Sequence, residues 1–316
     1  MRPPAKWVGA QKPLEGSNPS VSAQGPPSTE GGFQLPGGNP SNNVGVTKIA
    51  IATKHKKDEL LAPLFRNELG WQLELVEFDT DTLGTFSPEI KRALSPKDAA
   101  LAKARIALEN SDADYGLGSE GSIYPHPYLP MVSLDTEVLA LVGRANHPEL
   151  VLTHTSSEIV AVNRVLDSGV ELEAFAKLAD LPNHAVILRT ADAHYLTKGI
   201  REPEHLRELL DGEAKGLPNL ILESDFRAMS SPSRSKNILA CAQKLVERWK
   251  SACPACRAPG WGSVGFDFGL PCSDCGTINQ EAIRQERYGC TTCSELDLIP
   301  AADDSVPPSQ CQVCNP

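Results

Sequence analysis

Residues 48–78 have the sequence KIAIATKHKKDELLAPLFRNELGWQLELVEF, and this stretch decides the fold class. Its first part, KIAIAT, is a short apolar run with β-branched residues, which is typical of a buried strand. The following DELLAPLFRNEL carries apolar residues at helical spacing, and LELVEF predicts a second strand. A strand, a helix and a strand in succession are typical of a layered α/β domain.

The same alternation continues to about residue 250, so we expect residues 47–250 to form one α/β domain of about 200 residues, enough for a substantial core. Its clearest helix is PKDAALAKARIALEN, residues 96–110, with Ser95 as the N-cap and Pro96 at the first position. Further elements are predicted as strands at 138–143, 149–154, 185–190 and 219–224, and as helices at 171–179, 202–211 and 235–250.

The first 46 residues differ in composition, because eight Pro, eight Gly and five Ser occur among them. Such a segment buries too little apolar surface to offset its ordering entropy, so we expect residues 1–46 to be disordered. The start, MRPPAKWVGAQKP, lacks the apolar region of a secretory signal. The sequence contains no run of 18 apolar residues, so no membrane span is predicted. We therefore expect a cytoplasmic protein without membrane contact.

Residues 251–316 contain four CxxC pairs, separated by 15, 14 and 17 residues. A CxxC turn directs two thiolates at one point, so two turns complete a tetrahedral Cys₄ zinc site, and such closed sites are usually structural. The eight ligands predict two structural zinc ions, and they are Cys253, Cys256, Cys272, Cys275, Cys290, Cys293, Cys311 and Cys314. Sequential, nested and cross-braced pairings all use these residues, and the 15-residue interval favours sequential ribbons slightly. Cys241 falls outside this spacing and is expected to be a small buried hydrophobe.

The charge balance argues against nucleic acid as a partner. The chain has 40 acidic and 30 basic residues, a formal net charge of −10. Residues 253–316 contain eight acids and three Arg, a formal −5, and each Cys₄–zinc centre adds about −2. A phosphate-binding surface needs the opposite sign. The cysteine module is therefore expected to contact a protein partner or a second copy.

Three stretches of the α/β domain contain candidate binding or catalytic residues. The turn at residues 53–58, TKHKKD, lies between a strand and a helix, where free backbone N–H groups and lysines attract anions. On the helix at 96–110, Lys103 and Arg105 lie on opposite edges, about 160° apart, so one of them is expected to be a surface charge. In ADYGLGSEG, residues 113–121, glycines on both sides of Glu120 would allow a ligand to approach, and its carboxylate suits Mg²⁺.

The order of these stretches resembles the inosine-triphosphatase-like (ITPase-like) fold, especially the non-canonical purine nucleoside triphosphate phosphatases. Those proteins have a strand and a Lys-bearing turn, then a helix of the form ENAxxKA or GAxNRA, then ADYGVGxEGG. The counterparts here are ATKHKKDE, the helix segment at 98–105 and ADYGLGSEG, followed by a similar stretch at 151–178. The chain also resembles an uncharacterised bacterial family that joins such a domain to CxxC knuckles ending in Cys-Asn-Pro. The resemblance implies an ITPase-like layered mixed-sheet domain followed by a small two-zinc module.

By the resemblance, Glu120 would bind metal or activate water, Asp98 would assist a catalytic Mg²⁺, and Lys103 with Lys54 or Lys57 would hold the phosphates of a nucleotide. The implied activity is Mg²⁺-dependent nucleoside triphosphate (pyro)phosphohydrolysis or nucleotide binding. The family's paired acids before the helix are reduced to Asp98, unless Glu89 substitutes, and Ala99 and Ser122 replace the family's Asn and second Gly. The alternative is a non-enzymatic adaptor that retains the fold and uses the zinc module for protein contacts.

Two further clusters have no counterpart in that fold. ESDFR, residues 223–227, ends a strand, and SSPSRSK, residues 230–236, opens the last helix. The second could bind phosphate or carboxylate, but helix capping with an Asp225–Arg227 or Arg–Glu structural network is favoured. His126, between two prolines, follows Glu120 closely and could face the same pocket, but exposure in a loop is favoured.

Overall fold

The computed structural model describes residues 46–78, 94–144, 148–166 and 171–316. All of them belong to one unit, Asn42–Pro316. The expectation of disorder for residues 1–46 concerns residues outside this description, except for Val46. Among the described residues, no helix has the length and apolar character needed to cross a membrane.

The first sheet is mixed and has the strand order β2-β1-β3-β4-β5. Its strands are β1 Lys48–Ala52, β2 Gln72–Val76, β3 Tyr115–Pro125, β4 Ser133–Gly143 and β5 Glu149–Ser156. β1 pairs in parallel with β2 and β3, because the connections through helices return the chain to the same edge. β3–β4 and β4–β5 are antiparallel.

Helices cover both faces of this sheet: α1 Lys57–Leu69 and α5 Pro232–Lys250 on one, and α2 Pro96–Glu109 on the other. The alternation in KIAIA sets this arrangement. Ile49 and Ile51 pack in the large cluster with residues of α1 and α5, whereas Ala50 and Ala52 pack with Ala107 of α2. The large apolar side chains thus face the two-helix layer, and the small ones admit α2 close to the sheet. As predicted, Ser95 caps α2, with its hydroxyl accepting from the N–H of Asp98 at 3.2 Å.

The glycines of ADYGLGSEG serve this close packing. A Cβ on Gly116 would lie 2.0 Å from the carbonyl oxygen of Ala104, and one on Gly118 would lie 1.8 Å from that of Ala100. The glycines near Glu120 were expected to admit a ligand. The structure differs on both sides of Glu120. The space above Gly118 is filled by the backbone of α2, and a Cβ on Gly121 would lie 2.5 Å from side-chain atoms of Arg234 and Glu137.

The second sheet is entirely antiparallel, with the order β6-β9-β7-β8. Its strands and helices are β6 Asn163–Val165, α3 Leu172–Leu178, β7 Val186–Thr190, β8 Leu196–Ile200, α4 Pro203–Asp211 and β9 Leu220–Ser224. It has its own apolar cluster, which includes Phe175, Leu188 and Leu222. The residues expected to share one core therefore form two principal clusters, one on each sheet.

The cysteine-rich segment forms a third, three-stranded antiparallel sheet. Its strands are β10 Gly262–Pro271, β11 Ile278–Gly289 and β12 Leu296–Pro300. The segment follows α5 directly, and Arg248 of α5 donates from Nε to the carbonyl of Gly260 at 3.0 Å and from Nη1 to that of Ser263. The chain is thus a mixed α/β protein with several sheets and a C-terminal cysteine-rich module.

Candidate functional site: a basic cleft and two thiol clusters

A cleft of about 510 Å³ lies between the carboxyl end of β1 and the end of β9. Carboxyl ends of parallel strands are a common place for ligands in α/β folds, because loops and helix N-termini meet there. The β1–α1 turn, with Lys54 and His55, forms one wall, and the segment from Glu223 to Arg227 forms part of the opposite wall. The two walls belong to different sheets, so the cleft depends on the tertiary fold.

The charge of the cleft is opposite to that of the chain. Six basic side chains line it, and they are Lys54, Lys57, Lys103, Lys198, Arg227 and Arg234. Three acidic side chains line it, and they are Glu120, Glu223 and Asp225. This local excess of three positive charges occurs in a chain with a formal charge of −10, so the cleft favours an anion.

Lys57 is the first residue of α1 and is only 5% exposed. Its Nζ donates to the hydroxyl of Ser119 at 2.9 Å and lies 3.5 Å from the Ser119 carbonyl oxygen. Burial, followed by the nearby charge of Arg234, lowers the pKa of Lys57 to about 8. The first N–H groups of α1 have no partner within the helix, which adds to the attraction for an anion at this wall.

Lys103 and Glu120 form a nearly buried ion pair in the cleft wall, with Nζ and Oε2 2.5 Å apart. Arg105 lies on the other edge of the same helix and pairs with Glu149 at the surface, at 2.8 Å. This is the division expected from the helical spacing: one cation enters the cleft and the other stays at the surface.

Asp98 is placed elsewhere. Its side chain is exposed and accepts a hydrogen bond from the Ser95 hydroxyl at 2.6 Å, and it does not line the cleft. Residues five apart on a helix are separated by about 140°, so Asp98 and Lys103 project in different directions. The structure therefore brings together Lys54, Lys57, Lys103 and Glu120 but not Asp98. Glu89, the possible substitute, lies outside the described residues.

The two arginines of the cleft belong to the structural network favoured by the sequence. Arg227 donates from Nε and Nη2 to both oxygens of Asp225, at 2.9 and 2.5 Å. Although burial opposes it, Arg227 lowers the pKa of Asp225 overall. Arg234 and Glu137 are completely buried, and their Nε and Oε1 lie 2.6 Å apart. The network expectation is met. Both arginines also line the cleft, which sequence reasoning missed for Arg227 and gave only as the less favoured alternative for the segment with Arg234.

A second buried carboxyl group lies beside this pair. Asp135 is fully buried and accepts from Asn237 Nδ2 at 2.8 Å, while its Oδ1 has no hydrogen-bond partner within the described part of the chain. Burial and the neighbouring Glu137 raise the pKa of Asp135 to about 7. The region behind Arg234 therefore holds two carboxyl groups for one guanidinium.

Ser233, His184 and Asp180 form a chain that resembles a hydrolytic triad. Ser233 Oγ lies 2.9 Å from His184 Nε2, and His184 Nδ1 lies 2.8 Å from Asp180 Oδ2. However, the Ser233 N–H also donates to His184 Nε2, Ser233 Oγ accepts from the N–H of Val160, and Ser233 does not line the cleft. The chain of hydrogen bonds therefore caps the start of α5. His126 is half-buried rather than exposed, and its Nδ1 accepts from the turn N–H groups that follow it.

The eight CxxC cysteines form two groups of four thiols, and within each group the sulfur atoms lie within 4.8 Å of one another. One group is Cys253, Cys256, Cys290 and Cys293, and the other is Cys272, Cys275, Cys311 and Cys314. The closest Sγ–Sγ distances are 3.6 to 3.9 Å. A tetrahedral zinc with Zn–S bonds of about 2.3 Å separates sulfurs by about 3.8 Å, whereas a disulfide needs about 2.05 Å. Both groups therefore fit zinc, and all nine cysteines are free thiols.

The pairing is cross-braced, so the slight preference for sequential ribbons was wrong. The β10–β11 hairpin explains the pairing. Its register runs from Gly262 opposite Gly289 to Pro271 opposite Ile278, a length of roughly 30 Å. The second knuckle, which begins at Cys272, is thus carried to the far end, and β11 returns the third knuckle to the first. As expected, Cys241 belongs to neither group and is fully buried.

These features define a mixed α/β protein with a basic cleft and a cross-braced module of two Cys₄ groups. The chain belongs to the family described as a domain of unknown function, DUF6671, whose profile matches residues 103–316. A comparison with curated proteins finds no significant match. Among solved structures, the chain is similar to protein VC0702 from Vibrio cholerae, with 16% identity and a TM-score of 0.27 over 43% of this chain and 69% of that one.

Proposed function

We propose that the cleft binds a phosphorylated small molecule, with a nucleoside triphosphate as the ligand class, and that it hydrolyses a phosphoanhydride bond. The observation that carries this proposal is the convergence of six basic side chains on one cleft of an acidic chain. A volume of about 510 Å³ is within the range of small-molecule and cofactor pockets.

In the proposed complex, Lys54, Lys57 and Lys103 contact the phosphates at the β1–α1 turn. Fixed cations at this position stabilise the negative charge that increases on the phosphate oxygens during hydrolysis. The sugar and base would extend toward the second sheet, where Asn163 and Arg227 line the opposite wall.

Glu120 is the residue proposed to orient and deprotonate water. In the structure its carboxylate is held by Lys103 at 2.5 Å. A phosphate that attracts the ammonium group of Lys103 would weaken the bond between Lys103 and Glu120. Ligand binding would then strengthen Glu120 as a base.

The described residues supply few ligands for a protein-bound Mg²⁺. Asp98 lies outside the cleft, and within the described ranges the cysteine sets are the groups of three or more potential metal ligands. Mg²⁺ is often held by one or two carboxylates together with substrate phosphates. Glu120 is the cleft carboxylate that would complete such a site, and the ion would supply charge neutralisation on the phosphate oxygens.

A hydrolysis assay in the presence of Mg²⁺ tests the proposal. It measures the release of phosphate and pyrophosphate from common and deaminated nucleoside triphosphates. Glu120→Gln should reduce turnover at least 100-fold, the scale of one general base. Glu149→Gln, a surface carboxylate paired with Arg105, is the matched control, and it should retain activity. Asp98→Asn should also retain activity, since its side chain is outside the cleft. Absence of turnover in the native protein, or an unchanged Glu120→Gln rate, contradicts hydrolysis.

A second function is favoured by the surface of the cysteine module. Large apolar side chains are exposed on its strands and last knuckle, and they are Val264, Phe266, Phe268, Ile278, Ile283, Leu296, Leu298, Ile299 and Val313. Exposed apolar surface of this kind marks contact sites for proteins. We propose that the module, stabilised by two zinc ions, binds a protein or a second copy. The free thiols support a reducing compartment such as the cytoplasm.

Sedimentation velocity of the native protein and of Phe266→Ser/Phe268→Ser tests self-association. If the module joins two copies, the native protein sediments as a dimer and the variant as a monomer. A native monomer would contradict self-association and leave a heterologous protein as the partner to seek.

A further inference from the structure

The four lysines of the cleft are in different environments. Lys54 and Lys198 are exposed to water, and Lys103 is paired with the carboxylate of Glu120. Lys57 is 95% buried, and the hydrogen bonds of its amine go to the hydroxyl and the carbonyl of Ser119. Both of these partners are neutral, whereas the amine of Lys103 is hydrogen-bonded to a carboxylate.

Four charged side chains on α5, α2, β4 and β3 act on Lys57. Arg234 of α5 and Lys103 of α2 disfavour a further positive charge, whereas Glu137 of β4 and Glu120 of β3 favour it. The two carboxylates are themselves bonded to Arg234 and Lys103. Burial is the largest influence, and the pKa of Lys57 is lowered to about 8. At pH 7 the uncharged fraction of such an amine is roughly 300 times that of an ordinary lysine.

We propose that Lys57 is a nucleophilic amine that forms an imine with a phosphorylated aldehyde or ketone bound in the cleft. The Nζ lone pair forms a C–N bond with the carbonyl carbon, and the carbonyl oxygen takes up a proton to give a carbinolamine. Loss of the hydroxyl group as water, with the second amine proton, leaves the C=N bond. The step is a condensation that releases one water molecule and needs no oxidant or reductant.

The cleft supports this chemistry by position as well as by charge. A buried amine beside other cationic groups is a recognised arrangement for imine-forming lysines. Lys57 lines the cleft, where Lys54, Lys103 and Arg227 would hold the phosphate of the same compound. The inference rests on the proposed function only in this shared phosphate-binding role, since the carbonyl chemistry is independent of nucleotide hydrolysis.

A labelling experiment tests the inference. The full-length protein is incubated with pyridoxal 5′-phosphate and reduced with borohydride, and the modified lysines are mapped by peptide mass spectrometry. Lys57 should be modified at least tenfold faster than Lys54 or Lys198, and the rate should level off above about pH 8 rather than rise to pH 10. Pyridoxal, which lacks the phosphate, should react at least tenfold more slowly. Inorganic pyrophosphate should protect Lys57.

The mapping uses the native protein, so it does not depend on how a variant folds. Lys57→Arg should abolish the fast phase, and Lys250→Arg, which changes a surface lysine paired with Glu68 outside the cleft, is the control that should retain it. Equal modification of the exposed lysines, or no fast phase at Lys57, overturns the inference. Nucleotide binding without modification of Lys57 would refute this inference alone, whereas fast modification that no nucleotide inhibits would refute the proposed nucleotide function.

Discussion

Gly118→Ala is the substitution that most directly tests how β3 and α2 are packed. The added Cβ would lie 1.8 Å from the carbonyl oxygen of Ala100 and 2.7 Å from the backbone nitrogen of Ala104. A carbon and a carbonyl oxygen normally approach to roughly 3.3 Å. The helix must therefore move by about 1.5 Å, because the obstacle is backbone rather than a flexible side chain.

Overpacking of a core costs about 1–3 kcal/mol, and the rigid obstacle places Gly118→Ala at the upper end, about 3 kcal/mol. The melting temperature should fall by roughly 6–12 °C for a domain of this size. Lys103 is on the same helix, so the displacement should also disturb its pairing with Glu120 and weaken ligand binding in the cleft.

Urea unfolding followed by circular dichroism measures the loss. Gly216→Ala is the matched control, because Gly216 has a φ of 77° and, apart from its chain neighbours, no atom of the described residues lies within 4 Å of an added Cβ. The control should lose only about 1 kcal/mol, the cost of the left-handed backbone. If Gly118→Ala loses no more than Gly216→Ala, the close contact between α2 and β3 is refuted.

Three further outcomes are expected. Metal analysis should find two zinc ions in the native protein. Cys256→Ser/Cys290→Ser changes two ligands of one group and should lose one ion, whereas Cys256→Ser/Cys275→Ser changes one ligand in each group and should lose both. Sequential pairing predicts the opposite result for each double variant. The second group has two exposed thiols, Cys275 and Cys314, so a chelator should remove its zinc ion before that of the first group. A colorimetric zinc assay follows the release, and simultaneous release of both ions would contradict this. The raised pKa of Asp135 means that the folded state retains a proton between about pH 4 and 7 that the unfolded state has lost, so stability falls as pH rises through this range. Asp135→Asn should therefore gain stability relative to the native protein from pH 5 to pH 8 in urea unfolding, and an unchanged difference between the two proteins would contradict the burial effect.

Features encoded by local sequence were predictable. The N-cap Ser95 and the start of α2 at Pro96 follow from capping chemistry within one turn. The cysteine ligands follow from the CxxC spacing. The separation of Lys103 from Arg105 follows from the helical period.

Features that depend on distant contacts were not predictable. Arg227 and Arg234 reach the cleft only because the second sheet and the start of α5 pack beside β3, more than 100 residues earlier in the chain. The pairing of the cysteines depends on the long β10–β11 hairpin, and the CxxC spacing contains no information about it. The placement of Asp98 is an intermediate case. The helical period alone separates it from Lys103, whereas the resemblance suggested that they act together.

Isothermal titration calorimetry of nucleoside triphosphates and inorganic pyrophosphate against the full-length protein tests the central claim, anion binding in the cleft. The native protein should bind, and Lys103→Ala should weaken binding at least tenfold. Arg105→Ala, which removes a cation from the opposite edge of the same helix, should leave binding unchanged. No binding to the native protein, or equal losses in both variants, would contradict the assignment of the cleft.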